Sequence, residues 1–145
     1  MDLSFCFPAV VSSVAMVMDL DSDRVDNGWL FFSAAAGVLL HLAGGTFPPW
    51  SSCLAGMLLP VLLLGPFFCF RMLGAGDVKL FCTLGLMLGA DRILTCMFVS
   101  FLSGGIYVIV RMAADHFVRR QIRAGTIHFT IPICLSIYLH LGGVF

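Results

Sequence analysis

The chain has 145 residues, is 60% hydrophobic and only 11% charged, and has a mean hydropathy of +1.04. An average soluble domain carries ~25% charged residues, so composition excludes a soluble enzyme and implies an all-α polytopic membrane protein. Eight Lys and Arg balance eight acids, every one of them Asp, but the neutral sum hides a strong asymmetry, and no nucleic-acid partner is expected.

The first apolar run, Leu3–Met18, has an acidic flank and no small-x-small cleavage signature, so it reads as a membrane helix rather than a signal peptide. The polar stretch Asp19–Asn27 closes it. Gly28–Ala43 follows, with Trp29 where an interfacial aromatic would sit. Gly44–Ser52 is a loop by its Gly and Pro content. Cys53–Phe70 contains Pro60 and Pro66, which predict a kinked helix. A fourth helix is expected from about Leu73 to Ala90, with Gly85 and Gly89 as a small-xxx-small packing pair. A charged break at Asp91-Arg92 precedes the fifth run, Ile93–Val110. Arg111–Arg123 reads as an interfacial helix, with Phe117, Val118 and Ile122 on one face and Arg119, Arg120 and Arg123 on the other. A last run from about Ile127 to Phe145 completes a bundle of six transmembrane helices, one domain over residues 1–145.

Orientation follows from Lys and Arg. Seven of them (Arg24, Arg71, Lys79, Arg111, Arg119, Arg120, Arg123) fall at odd-to-even junctions, against Arg92 alone at the others. The first set is expected to face the cytoplasm, which puts both termini outside. The ends of the first and fourth helices then share that side. Asp19 and Asp77, 58 positions apart in sequence, are brought to the same depth.

Asp77 stands beside a strongly apolar run. Val78–Ala90 holds 13 residues, whereas a spanning helix needs ~20, so the helix recruits residues on the Gly74–Asp77 side. An ionised carboxylate drawn into that boundary costs roughly 2.5–3.5 kcal/mol and marks a functional position, with Asp19 as its expected partner. Two carboxyls at close range share one proton. One takes a proton from water and the other donates to a scissile carbonyl, as in an aspartic protease. Gly74 and Gly76 are expected to give the backbone around Asp77 conformations closed to other residues. Taken singly, Asp19 also reads as a helix stop, and Asp77 as a partner of Lys79 or Arg71.

Six cysteines are scattered singly without a CxxC, and the four histidines form no metal spacing. No metal site and no cofactor are expected. His41 and His140 fall on the outer side and His116 in the basic segment. His128 is the one placed near the acids, and none is assigned catalysis.

Two blocks carry a resemblance. Asp19-Leu20-Asp21-Ser22-Asp23-Arg24-Val25-Asp26-Asn27 resembles a motif of Asp, five residues, Ile or Val, one residue, and Asn. Gly74-Ala75-Gly76-Asp77-Val78-Lys79-Leu80 resembles GxGD followed by an apolar residue, Lys and an apolar residue. Together with the six-span layout they make the chain similar to the type IV prepilin peptidases, membrane aspartic proteases of bacteria and archaea. The resemblance implies Asp19 and Asp77 as catalytic, Gly74, Gly76 and Lys79 as shaping the site, and Asn27 as helping to fold the first cytoplasmic loop. It implies prepilin or pseudopilin substrates, cut after a Gly between a basic leader and an apolar helix, on the cytoplasmic side of the cell membrane. Asp26 stands where many members carry Pro, which predicts a looser loop. Many members also carry a CxxC-containing cytoplasmic domain and methylate the product. The chain instead resembles the short peptidase-only members found with Flp/Tad pili and preflagellins, for which cleavage without methylation is expected. The acidic residues Asp21, Asp23 and Asp26 suit attraction of a basic leader, although a solvated loop is the plainer reading.

Two other readings stand beside this one. Presenilin-like GxGD proteases carry Tyr before the first Asp, where this chain has Met18, and a Pro-Ala-Leu motif that it lacks. A small transporter or proton-coupled subunit also uses membrane carboxylates, but the internal repeat common in such proteins is not evident here.

Overall fold

The computed structural model describes residues 3–22, 25–44, 48–69, 73–118 and 129–143. Among them are six helices and no strand: α1 (Leu3–Ser22), α2 (Asn27–Leu42), α3 (Trp50–Cys69), α4 (Ala75–Leu88), α5 (Ala90–Val118) and α6 (Thr130–Leu141). They follow the six apolar runs in order. Trp50–Cys69 and Ala90–Val110 are long and apolar enough to cross a membrane, and α2 and α6 are shorter apolar helices.

The faces turned outward are as apolar as the core. On α3, Cys53, Gly56, Pro60 and Leu64 are buried at helical spacing, while Leu58, Val61 and Leu62 are exposed. Phe31 on α2 is 79% exposed and Phe98 on α5 is 71% exposed. In water such continuous apolar surface would aggregate. Around a bundle it is what lipid requires.

The short helix α4 is the hub. Phe81, Leu80 and Leu84 of α4 are fully buried, and the helix packs against α1, α2, α3 and α5. A helix that is apolar all round belongs inside. Its closest neighbour is α3, because Gly85 lies against Gly56 with backbone on backbone. A Cβ at either position would run into the carbonyl of the other. The expected packing role of Gly85 is thus met by a partner, Gly56, that no sequence pattern marks.

Several expected boundaries move. α4 begins at Ala75, leaving Gly74 outside it as the N-cap. The break before α5 falls at Gly89, not at Asp91-Arg92. Gly89 has φ +81, the left-handed region that favours glycine, and a Cβ there would also crowd Ser52 and Pro48. Asp91 instead sits in the first turn of α5, where a carboxylate complements the helix dipole. The Ser52 hydroxyl accepts from the Ala90 N–H at 3.1 Å and so caps α5 from the start of α3. Asp19 does not stop α1, which continues to Ser22. Residues 111–118 of the expected interfacial helix are an unbroken continuation of α5. Its remainder, 119–123, lies outside the described residues.

Candidate functional site

The GxGD block builds the N-terminus of α4. Gly74 is the N-cap, with extended backbone at φ −72, ψ 146, and Asp77 is the third helical residue. An acid at that place reaches back to the N-cap amide, the second half of a capping box. The Gly74 N–H donates to the Asp77 carboxylate accordingly. A Cβ on residue 74 would stand 3.1 Å from Asp77 Oδ2, so glycine makes room for the returning side chain. This corrects the expectation of special backbone freedom. Neither Gly74 nor Gly76 has positive φ, and Gly76 is ordinary helix.

The first block meets the second along its length. Asp19, one turn before the end of α1, lies near enough to Asp77 for its charge to act on that carboxyl. Val25 covers Gly76, where a Cβ would touch it at 3.8 Å. Lys79 Nζ donates to Asn27 Oδ1 at 2.8 Å. Each of the two blocks is polar in a chain that is mostly apolar, and α1 packs directly on α4. The structure therefore brings Asp19, Asn27, Gly74, Gly76, Asp77 and Lys79 into one region. Lys79 turns to Asn27, so the alternative of Lys79 as the ion partner of Asp77 is not what the side chain does.

The loop between α1 and α2 is tied at its second end. Asp26 is the N-cap of α2, and its Oδ1 accepts from the Gly28 N–H at 3.2 Å. A carboxylate cap replaces the rigidity that Pro would supply, so the expected loosening does not follow at this residue. Asp21 is exposed, and Asp23 lies outside the described residues.

Beside Asp77 opens a cavity of about 490 Å³. Its wall comprises Phe67 of α3, Leu73, Gly74 and Asp77, the α5 residues Phe101, Gly104, Gly105, Val108 and Ile109, and Phe129. Asp77 is the one ionisable group among the described lining residues. Phe101 bridges Phe67 and Phe129, with ring centroids 6.0 and 5.3 Å away. Gly104 lets the Phe129 ring lie directly on α5, since a Cβ there would meet its Cε2 at 2.6 Å. Gly105 has open space where a side chain would project.

The sequence reading missed this wall and one further contact. Thr130 Oγ1 donates to Asp19 Oδ2 at 2.7 Å, from the first turn of α6. The Gly104-Gly105 pair inside an apolar run was a legible signal for the cavity. Nothing marks Thr130 in sequence. Of the histidines, His41 lies against Trp50 with ring centroids 4.0 Å apart, and His128 is outside the described residues.

Comparison with curated proteins gives no match, and neither does comparison with solved structures. A family model described as the type IV leader peptidase family matches residues 6–109. That segment contains both acids and both blocks, and it covers well over half of the chain. The chain belongs to the type IV leader peptidase family, a family of peptide-bond hydrolases.

Proposed function

We propose that Asp19 and Asp77 are the catalytic dyad of an aspartic endopeptidase. It cleaves type IV prepilins or pseudopilins after a Gly, between the basic leader and the apolar helix. The observation that carries this reading is the mutual approach of the two carboxyls at the junction of α1 and α4. The Lys and Arg asymmetry supports a dyad that faces the cytoplasm, and the six helices accord with six spans in the cytoplasmic membrane and one peptidase domain over 1–145.

Two neighbouring carboxyls hold one proton between them. The ionised member accepts a proton from water as its oxygen attacks the scissile carbonyl carbon. The protonated member gives its proton to the carbonyl oxygen, and a neutral gem-diol forms. Proton transfer to the peptide nitrogen then lets the C–N bond break. The diol collapses to a carboxylic acid, and the pair is left with one proton again. No group other than the dyad and water enters the proton balance.

The cavity beside Asp77 suits the apolar side of such a substrate, because every other described lining residue is an apolar side chain or glycine. Gly105→Leu tests this. Its Cβ meets no neighbour, it removes a helix-interior glycine worth ~1 kcal/mol, and it adds apolar bulk at the cavity wall. Thermal stability in detergent is expected to hold, while KM for a synthetic prepilin rises about tenfold.

Lys79 and Asn27 join the two blocks but lie at the exposed rim. Loss of a partly solvated charged hydrogen bond costs about 1 kcal/mol. Asn27→Ala and Lys79→Met are each expected to lower kcat/KM about fivefold, and the double variant hardly further, since they remove one interaction. The proposal as a whole is tested by incubating purified protein with a synthetic prepilin and reading the product masses. A single cut after the junction Gly is the expected result. Intact substrate, or cuts scattered along the leader, would overturn it.

A further inference from the structure

We propose that Thr130 is a positioning residue for Asp19, so that α6, beyond the matched residues 6–109, is a working part of the catalytic site. The inference rests on the peptidase reading above.

A helical Ser or Thr usually spends its hydroxyl on the carbonyl one turn back. This chain does so repeatedly: Ser13 donates to Ala9 O, Thr83 to Lys79 O, Thr95 to Asp91 O and Ser103 to Val99 O. Thr130, as the first residue of α6, has no preceding turn of its own helix to bond to. It is fully buried, and its hydroxyl crosses to a carboxylate on another helix, 111 positions away, at 2.7 Å.

The donor is also held still. Ser100 Oγ donates to Ser136 Oγ at 2.8 Å, and Ser13 and Tyr138 share a hydrogen bond of 2.8 Å, which tie α6 to α5 and to α1. Ile133 and Ile137 of α6 are buried in the common core. A side chain donated from so fixed an element limits rotation of the Asp19 carboxyl. Catalytic groups supported in this way keep the narrow geometry their chemistry needs.

The test compares Thr130→Val, which keeps the shape and loses the hydroxyl, with Thr130→Ser, which keeps the hydroxyl and loses a methyl. Thr130→Ala serves as a second hydroxyl-free variant should the valine not fold. Steady-state cleavage of a synthetic prepilin is measured for each purified protein, alongside Asp19→Ala. The expected result is a fall in kcat of about 10–100-fold for valine and alanine at unchanged KM, with serine restoring most of it. A purely structural threonine would lower folded yield without splitting kcat from KM or distinguishing serine from valine. Cleavage lost in Asp19→Ala but kept in a folded hydroxyl-free variant overturns the role of Thr130, as does a serine variant no better than valine. Cleavage that survives Asp19→Ala overturns the peptidase reading instead.

Discussion

Asp19→Ala and Asp77→Ala are each expected to abolish cleavage of a synthetic prepilin, and Asp77→Asn to do the same although it keeps the side-chain shape. A positioned acid or base contributes about 10²–10⁴ in rate, and here one pair supplies both roles. The two acids act as a unit, so the double variant is expected to be no slower than either single one. Stability should move the other way. Asp77 is a half-buried carboxyl held beside a second acid, with one backbone amide from Gly74 in compensation. Removing it relieves like-charge repulsion and gives up an interaction of about 0.3–1 kcal/mol at the helix start. Thermal unfolding of Asp77→Ala in detergent is therefore expected at or above the wild-type temperature. A variant that is inactive because it is unfolded would melt lower, which separates the two causes.

Gly85→Val is the change expected to damage the fold most. Overpacking costs typically 1–3 kcal/mol when side chains can shift, and here the obstacle is the backbone of Gly56, which has nowhere to go. A loss of about 3 kcal/mol or more is expected, with α3 and α4 forced apart. Because α4 carries Asp77 at its other end, cleavage should disappear together with folded protein. Gly65→Ala is the control: the same type of change on α3, with nothing within 4 Å of the new Cβ. It should raise stability by about 0.5–1 kcal/mol. If Gly85→Val melts like the control, the backbone contact between the two helices is wrong.

Helix order and the pairing of the two polar blocks were legible because apolar runs in this chain are cleanly punctuated, and polar groups at membrane depth have few uses. Boundaries were less so. A charged pair at Asp91-Arg92 looks like a break, yet an acid is favoured in a first helical turn, and the real interruption is a left-handed glycine two residues earlier. Residues 111–118 look like a separate surface helix because their polarity changes, but no Pro or Gly stops α5 there. Gly74 was read for its flexibility, whereas the structure uses its lack of bulk. The contact of Gly56 with Gly85 and that of Thr130 with Asp19 join residues far apart in sequence, and a single threonine or glycine in an apolar run carries no sign of its partner.

The brevity of α4 has a consequence for where the chemistry takes place. At 1.5 Å per residue its 14 residues make a rod about 21 Å long, against ~30 Å of hydrocarbon in a bilayer. The 20-residue helices beside it, α1 and α3, reach the full thickness. In a six-span bundle, however the short rod is centred, at least one tip would lie below the lipid boundary beside taller neighbours. On the proposed orientation, an acid-bearing tip set below that boundary would leave a recess in the membrane face above the acids. A substrate anchored in the same bilayer would then reach the acids from the side without being pulled out of the lipid.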